Sequence, residues 1–246
     1  MTYTKRWFAG QVTTSEASAA IVVPIVTQLL KPASMIDVGC GLAGWAAAFG
    51  KSGVPEVMGV DGDYVDRSML RIPADRFTPH DLTKPLTLDR TFDLAISLEV
   101  AEHLPESVAD QFVQALTNLA PAVLFSAAVP AQGGNHHVNE QWQSYWAEKF
   151  AARGYRVADP VRPRIWDNED VQWWYRQNTL LFLSDPLLAT RPDLQGLVED
   201  ARTRALDVVH PRMLEQLVDA ASHPMRTLVR RHVIRAKQVA RKIKGG

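Results

Sequence analysis

Residues 39–44, GCGLAG, place three glycines within six residues, between two segments of different periodicity. The run SMIDVG that leads into them is short, apolar and typical of a strand, whereas LAGWAAAFGKSG has the composition of a helix ending at Gly53. A second strand-like run, VMGVDG, follows that helix. Strand, glycine turn, helix and strand in this order predict a parallel βαβ unit whose turn approaches a ligand closely.

The same alternation continues along the chain. RFTPHDL, TFDLAISL and AVLFSAAVP are strand-like, and ESVADQFVQALTNLA and NEQWQSYWAEKFAARGY have helical spacing. A further helix, within TTSEASAAIVVPIVTQLL, precedes the first strand. RVADPVRPRIW and NTLLFLS follow each other without a full helix between them, which indicates one antiparallel strand at the sheet edge. The fold class predicted is α/β, a mainly parallel sheet with helices on both faces.

Charge divides the chain into two parts. The formal net charge is zero, but from Arg226 to the end there are eight Lys or Arg residues and no acid. Residues 187–246 also read as mainly helical, so we expect an α/β domain over residues 1–186, which includes the N-terminal helix, and a helical extension over 187–246 with a basic amphipathic tail. Such a tail suits contact with an anionic membrane surface or partner, and equally suits plain packing of its apolar side.

Several classes of protein are disfavoured. Cys40 is the only cysteine, which excludes an intramolecular disulfide and favours a reducing, cytoplasmic setting. No apolar run reaches the length of a membrane span, and the N-terminus lacks the pattern of a signal peptide. The predicted α/β domain has no basic face, so no nucleic-acid partner is expected. Self-association is left open.

Two acids decide which ligand the glycine turn suits. Asp37 stands two residues before the first glycine, where its carboxylate would repel the pyrophosphate of a dinucleotide. S-adenosylmethionine (SAM) has no phosphate and carries an ammonium and a sulfonium, which a carboxylate favours. Asp61, at the end of the second strand, suits the ribose hydroxyls of either cofactor. Asp37 therefore favours SAM.

The chain resembles class I SAM-dependent methyltransferases in DVGCG (37–41), GVDGD (59–63), HDL (80–82) and FDLAISLEVAEHL (92–104). This resemblance implies a Rossmann-like sheet of seven strands, the last antiparallel. It also implies that the first motif surrounds the methionyl part of SAM, that Asp61 holds the ribose and that Asp81 binds the adenine amino group. The cofactor-binding residues it suggests are Asp37, Gly39, Cys40, Gly41, Asp61, Gly62, Asp81, Leu82 and Leu98.

Candidate bases follow the fourth and fifth strands, where an open α/β sheet places its substrate crevice. SLEVAEHL contains Glu99, Glu102 and His103, and NHHVNE contains His136, His137 and Glu140 after a pair of glycines. A hydroxyl acceptor must lose a proton, and histidine titrates near neutral pH. His136 or His137 is the predicted general base, with Glu99 or His103 assisting. These residues also suit Mg²⁺, although no spacing demands a metal.

The acceptor is predicted from a looser resemblance. GGNHHVNEQWQSYWAEKFAARGY and WWYRQNTLLF resemble bacterial methyltransferases of polysaccharide and other glycan pathways, including sugar O-methyltransferases. Aromatic faces beside polar groups also suit carbohydrate or a flat metabolite. The prediction is O-methylation of a sugar hydroxyl on a small saccharide or glycan precursor. O- or N-methylation of a secondary metabolite, and a non-catalytic scaffold with this fold, remain the alternatives.

Overall fold

The computed structural model describes residues 5–222, and for residues 5–14 only the course of the backbone. In this part of the chain, strands and helices alternate around one seven-stranded sheet. The strands are β1 (Ser34–Val38), β2 (Glu56–Asp61), β3 (Phe77–Pro79), β4 (Leu94–Leu98), β5 (Ala122–Ser126), β6 (Tyr155–Ala158) and β7 (Leu180–Ser184). The helices are α1 (Lys5–Leu30), α2 (Gly44–Lys51), α3 (Ala109–Leu119), α4 (Gln143–Ala151), α5 (Arg162–Ile165), α6 (Trp173–Asn178), α7 (Asp185–Thr190), α8 (Gln195–Arg202) and α9 (Pro211–Ser222). The α/β class and the Rossmann-like sheet are confirmed.

The sheet order is β3-β2-β1-β4-β5-β7-β6, and β7 runs antiparallel to both of its neighbours. The last strand is therefore antiparallel, as predicted, but its predicted place at the sheet edge is wrong. All five residues of β7 (LLFLS) are buried, whereas β6 contains the exposed Arg156. An apolar strand buries more apolar surface between two strands than at an edge. The more polar β6 therefore forms the edge. RVADPVRPRIW is extended only at its start, because residues 162–165 form α5.

Two apolar layers cover the sheet. Strand residues alternate between them, so that Met35 belongs to one layer and Ile36 to the other. The first layer contains residues of α1, α2 and α5–α8, and the second contains residues of α3 and α4. The helices thus fix the sheet from both sides and leave the carboxyl ends of its parallel strands free for a site.

The chain divides into two compact units, of which the first ends at Val208 and the second comprises residues 209–246. The boundary predicted after residue 186 does not coincide with this division. Leu188, Leu194 and Val198, on or beside α7 and α8, are buried in the first apolar layer, so this part of the predicted extension completes the core. The second unit contains α9, and the predicted basic tail lies outside the described residues. No helix in the described part is long and apolar enough to cross a membrane.

Candidate active site

In the glycine turn the backbone passes close to neighbouring segments of the chain. Gly39 and Gly41 both have positive φ, at +86° and +53°, and the Gly39 N–H donates to the carbonyl of Val60 at 2.8 Å. A Cβ on Gly39 would lie 2.5 Å from Cγ2 of Val100. Glycine is therefore required at residue 39 by both conformation and space, and the turn stays narrow between β1 and the segment that follows β4.

Asp61 closes the turn from the end of β2. Its Oδ2 accepts the Gly41 N–H at 2.6 Å, and its Oδ1 accepts the Gly62 N–H at 2.6 Å and the hydroxyl of Tyr64. Burial raises the pKa of Asp61, and the Tyr64 hydroxyl opposes that rise. The carboxylate is thereby oriented by two backbone N–H groups while one oxygen faces a side-chain hydroxyl.

Asp37 lies near the end of β1 and is 3% exposed. Its Oδ2 makes no hydrogen bond with any described residue. Burial, followed by repulsion from Asp61, raises the pKa of Asp37 to about 8. A buried carboxyl that forms no ion pair within the described part of the chain suits a cationic ligand.

Asp81 follows β3 and is exposed. Its Oδ1 accepts from the backbone N–H and the hydroxyl of Thr83, at 3.1 and 2.7 Å. These bonds hold the pKa of Asp81 below its usual value. Its Oδ2 lies 3.6 Å from the Lys84 Nζ, so the side chain is oriented by its own turn.

A cavity of about 730 Å³ joins these parts. Its wall is formed by the carboxyl ends of β2 and β3 and by the loops that follow β1, β2, β3 and β4: Gly39, Gly41, Asp61, Gly62, Asp63, Tyr64, Pro79, His80, Asp81, Leu82, Thr83, Glu99, Val100, His103 and Leu104. The volume lies in the usual range for a small-molecule site. Of the predicted cofactor residues, Asp37, Cys40 and Leu98 are outside the wall. The Cys40 thiol packs against Gly59 of β2.

Glu99 begins the polar end of the cavity. It has a positive φ of +56°, unusual for a residue with a side chain, and its N–H donates to the Ser126 carbonyl at 2.9 Å. Its carboxylate accepts from Gln132 Nε2 at 2.8 Å and from Asn178 Nδ2 at 3.1 Å. Burial raises the pKa of Glu99 despite these bonds. Backbone and amide partners therefore fix its direction.

Glu102 and His103 lie in the short 3-10 turn after β4. The Glu102 side chain is fully buried, and neither carboxylate oxygen makes a hydrogen bond of normal geometry with a described residue. Burial and repulsion from Glu99 raise its pKa well above the usual value. The buried Nδ1 of His103 also lacks such a partner, and burial lowers the pKa of His103 to about 4. Two adjacent side chains thus contain buried polar atoms without a hydrogen-bond partner among the described residues.

His137 reaches the same cluster from the loop that follows β5. Its Nδ1 lies 2.8 Å from Oε1 of Glu140, and its Nε2 lies 3.9 Å from Oε1 of Glu102. The His137 ring packs edge-on against His103, with centroids 4.9 Å apart. Because a carboxylate only accepts, Nδ1 carries the proton and Nε2 is left as the free nitrogen. A Cβ on Gly134 would collide with the His137 ring.

The structure separates the two candidate histidines. His136 is exposed, with a positive φ of +65°, whereas His137 is part of the cluster with Glu102 and His103. The sequence had no means of distinguishing them. It offered Glu140 beside the histidines, but gave no sign that Gln132 and Asn178 orient Glu99, although the buried polar residues at the end of α6 interrupt an apolar region.

The aromatic residues serve mainly as core. Trp146 is 2% exposed, and Tyr175 is 6% exposed with its ring edge-on to Trp45 at 5.1 Å. Trp142, just before α4, is exposed. Tyr64 is the one aromatic side chain in the described wall of the cavity. The tryptophans whose faces could suit a carbohydrate are therefore not part of that wall.

Comparison with known families gives a match over two thirds of the chain. Residues 14–178 match the family model described as "Methyltransferase domain". No curated protein sequence matches the chain. The matched range runs from α1 to the end of α6 and includes each residue predicted for the site.

Solved structures with this fold share little sequence with the chain. An O-methyltransferase family protein from Burkholderia thailandensis is 14% identical, with a TM-score of 0.55 over 72% of this chain and 58% of that one, less than two thirds of its length. Magnesium protoporphyrin IX methyltransferase from Synechocystis PCC 6803, solved with bound S-adenosylhomocysteine, is 17% identical (TM-score 0.52; 70% and 84% covered). The sugar N-methyltransferase KedS8 from Streptoalloteichus sp. is 14% identical (TM-score 0.53; 68% and 87% covered). These likenesses support the fold.

Proposed function

Because the chain belongs to the methyltransferase-domain family and uses SAM as its cofactor, we propose that it transfers the SAM methyl group to a hydroxyl of a sugar or small saccharide. One observation carries the proposal. A single cavity is lined both by the glycine turn with Asp61 and by Glu99 and His103. A cofactor held at the first group has its reacting end within reach of titratable side chains at the second.

The reaction is an in-line displacement. The acceptor oxygen forms a bond to the methyl carbon, the carbon–sulfur bond breaks, and its electron pair remains on sulfur, which becomes neutral. The acceptor hydroxyl must give up its proton as it attacks, whereas an amine can attack first. A buried cluster of histidines and carboxylates beside the cofactor therefore favours a hydroxyl acceptor.

His137, which packs edge-on against His103 of the cavity wall, is the side chain to which we assign that proton. Its ring is oriented by Glu140, and its Nε2 faces the cluster. Orientation of an imidazole by a carboxylate on its other nitrogen is a recurring arrangement in general-base catalysis. His136, exposed and without such a partner in the hydrogen bonds described, is the natural control.

The sugar acceptor rests on less direct support. A structure with the same fold is a sugar N-methyltransferase, and another belongs to an O-methyltransferase family. At the acceptor end the cavity wall carries the polar side chains of Glu99 and His103, and polar groups can bind the hydroxyls of a saccharide.

The experiment is methyl transfer from SAM with a ¹³C-labelled methyl group to a panel of sugars, sugar nucleotides, phenols and amines. The product atom is identified by NMR, and the rates of wild type, His137→Ala and His136→Ala are compared. We expect O-methylation of a saccharide, a loss of about 100-fold or more in kcat for His137→Ala, and little loss for His136→Ala.

Other outcomes assign another function. Methylation of an amine, unaffected by His137→Ala, would replace the proposal by N-methylation of a small metabolite. Binding of S-adenosylhomocysteine without turnover of any acceptor class, together with full biological function of a double His136→Ala and His137→Ala variant, would identify a non-catalytic scaffold.

A further inference from the structure

We propose that Glu102, His103 and His137 form a binding site for one divalent transition-metal ion of the Mn, Fe, Co or Zn class. The inference concerns the acceptor end of the cavity. The role given to the ion rests on the proposed function, whereas the site itself can be tested without any acceptor.

The geometry brings three ligand atoms together from two segments of the chain. Glu102 and His103 come from the turn after β4, and His137 comes from the loop after β5. One ligand atom from each residue lies within 4.8 Å of the others. Ligands of one ion at about 2.1 Å from it are separated by about 3–3.5 Å. Side-chain adjustments of about 1 Å would therefore complete the site.

The backbone holds these two segments in register. The N–H groups of Val138 and Asn139 donate to the carbonyl of Glu102, at 2.9 and 3.1 Å. The His137 ring is thus tied to the turn that carries the other two ligands. A site preorganised in this manner needs little ordering when an ion binds.

The polar atoms of the cluster lack the partners that burial demands. Both oxygens of the fully buried Glu102 and the Nδ1 of His103 make no hydrogen bond with the described residues. A buried carboxylate without a cation or a donor costs several kcal/mol. A divalent cation coordinated at this point would satisfy all three atoms together.

Glu140 supplies the outer support expected of a metal ligand. Its carboxylate accepts from His137 Nδ1 at 2.8 Å, and from the N–H groups of Ala131 and Gly133 at 2.9 and 2.8 Å. A carboxylate on one nitrogen of an imidazole whose other nitrogen binds metal is a common second-layer arrangement. It directs Nε2 towards Glu102.

The donor set selects the class of ion. Two imidazole nitrogens and one carboxylate suit Zn, Fe, Co and Mn, whereas Mg²⁺ prefers oxygen ligands throughout. The Mg²⁺ considered from the sequence is therefore the less suitable ion. Three protein ligands leave positions open for a substrate oxygen, as in catalytic rather than structural sites.

An ion at this site changes the route of the proton. Coordination of the acceptor hydroxyl lowers its pKa. With an ion bound, His137 would be a ligand instead of the base named above, and the Glu99 carboxylate in the cavity wall would be the group left to take the hydroxyl proton as the oxygen attacks the methyl carbon. Glu99 lies in the wall of the cavity. Hydrogen bonds from Gln132 and Asn178 orient its carboxylate.

The test uses the untagged full-length protein after removal of metals by EDTA and buffer exchange. Co²⁺ is titrated while its visible absorption bands and the heat of binding are recorded. We expect one Co²⁺ per chain, and dissociation constants at least ten-fold higher in Glu102→Gln, His103→Ala and His137→Ala. His136→Ala, the matched control, should bind as wild type, and an equal concentration of Mg²⁺ should not displace Co²⁺.

Binding of S-adenosylhomocysteine shows that each variant is folded. If Glu102→Gln or His103→Ala does not fold, the Co²⁺ affinity of His137→Ala tests the site. The site is refuted if wild type binds no stoichiometric Co²⁺, or if folded variants bind it equally well. Displacement by equal Mg²⁺ would overturn the assigned class of ion. Stoichiometric Co²⁺ binding without methylation of any hydroxyl would sustain the site and refute the proposed function. Full O-methylation by a protein that binds no metal would refute the metal site and sustain the proposed function.

Discussion

At the cofactor end of the cavity, the Asp61 carboxylate joins the glycine turn to the loop that follows β2. Backbone N–H groups of Gly41 and Gly62 fix its two oxygens, and the Tyr64 hydroxyl engages Oδ1. The ring of Tyr64 also lies over Gly62, where a Cβ would collide with it. Because ribose hydroxyls would bind the same carboxylate, Tyr64 must share Oδ1 with the cofactor or move away from it.

Replacement of Asp61 by alanine should therefore weaken cofactor binding. We expect a loss of about 1–3 kcal/mol in the binding free energy of S-adenosylhomocysteine, because hydrogen bonds to a charged group are removed. Calorimetric titration measures it. Asp75→Ala, which removes an exposed acid outside the cavity wall, is the control. Equal affinity in Asp61→Ala and wild type would exclude the ribose contact.

At the scale of elements, the loop between β5 and α4 is organised around one carboxylate. Glu140 accepts N–H groups from Ala131 and Gly133 and orients His137, while Ala131, Gly133 and His136 all adopt positive φ. Because Ala131 and His136 carry side chains, their positive φ is strained, and a loop with two such residues needs a centre of this kind to hold one conformation. Glu140 is thus a positioning residue for His137.

Glu140→Gln keeps the shape of the side chain but exchanges one acceptor oxygen for a donor. We expect kcat to fall about 10- to 100-fold while the affinity for S-adenosylhomocysteine stays unchanged, because the glycine turn is untouched. Glu148→Gln, an exposed substitution on α4, controls for the change of charge. A matching fall in cofactor affinity would mean that the loop supports the whole cavity rather than His137.

The elements themselves were largely predictable. The segments TFDLAISL and AVLFSAAVP are short apolar runs between polar turns, so the local sequence alone predicts that they are buried strands. The strands β4 and β5 lie within them. The insertion of β7 between β5 and β6 was not predictable, because it depends on which strand gains more from two neighbours. The same limit applies to the site. The motifs singled out Asp61 and Glu99, but their partners Tyr64, Gln132 and Asn178 come from tertiary placement.

At the scale of the whole molecule, a buried acid links stability to pH. The pKa of Asp37 is about 8 in the folded protein against a usual value of 3.8. Between these values the folded state keeps a proton that the unfolded state has released. The stabilisation from this group is full below about pH 4 and is lost as the pH rises towards 8.

Urea unfolding of the cofactor-free protein at pH 5, 6, 7 and 8 should reveal this loss. We expect Asp37 to lower the free energy of unfolding by up to about 1.4 kcal/mol per pH unit over this range. Asp37→Asn, which does not titrate, should show a correspondingly flatter profile, since the other groups are common to both proteins. Parallel profiles for the two proteins would contradict the raised pKa.

The central claim is that one cavity holds the cofactor at Asp61 and turns its reacting end towards Glu99, His103 and His137. A crystal structure with bound S-adenosylhomocysteine tests this most directly. The account predicts the ribose hydroxyls on Asp61, the Tyr64 hydroxyl displaced from Oδ1 or sharing it, and the sulfur facing the cluster. A ribose bound away from Asp61, or a sulfur directed away from the cluster, would contradict it.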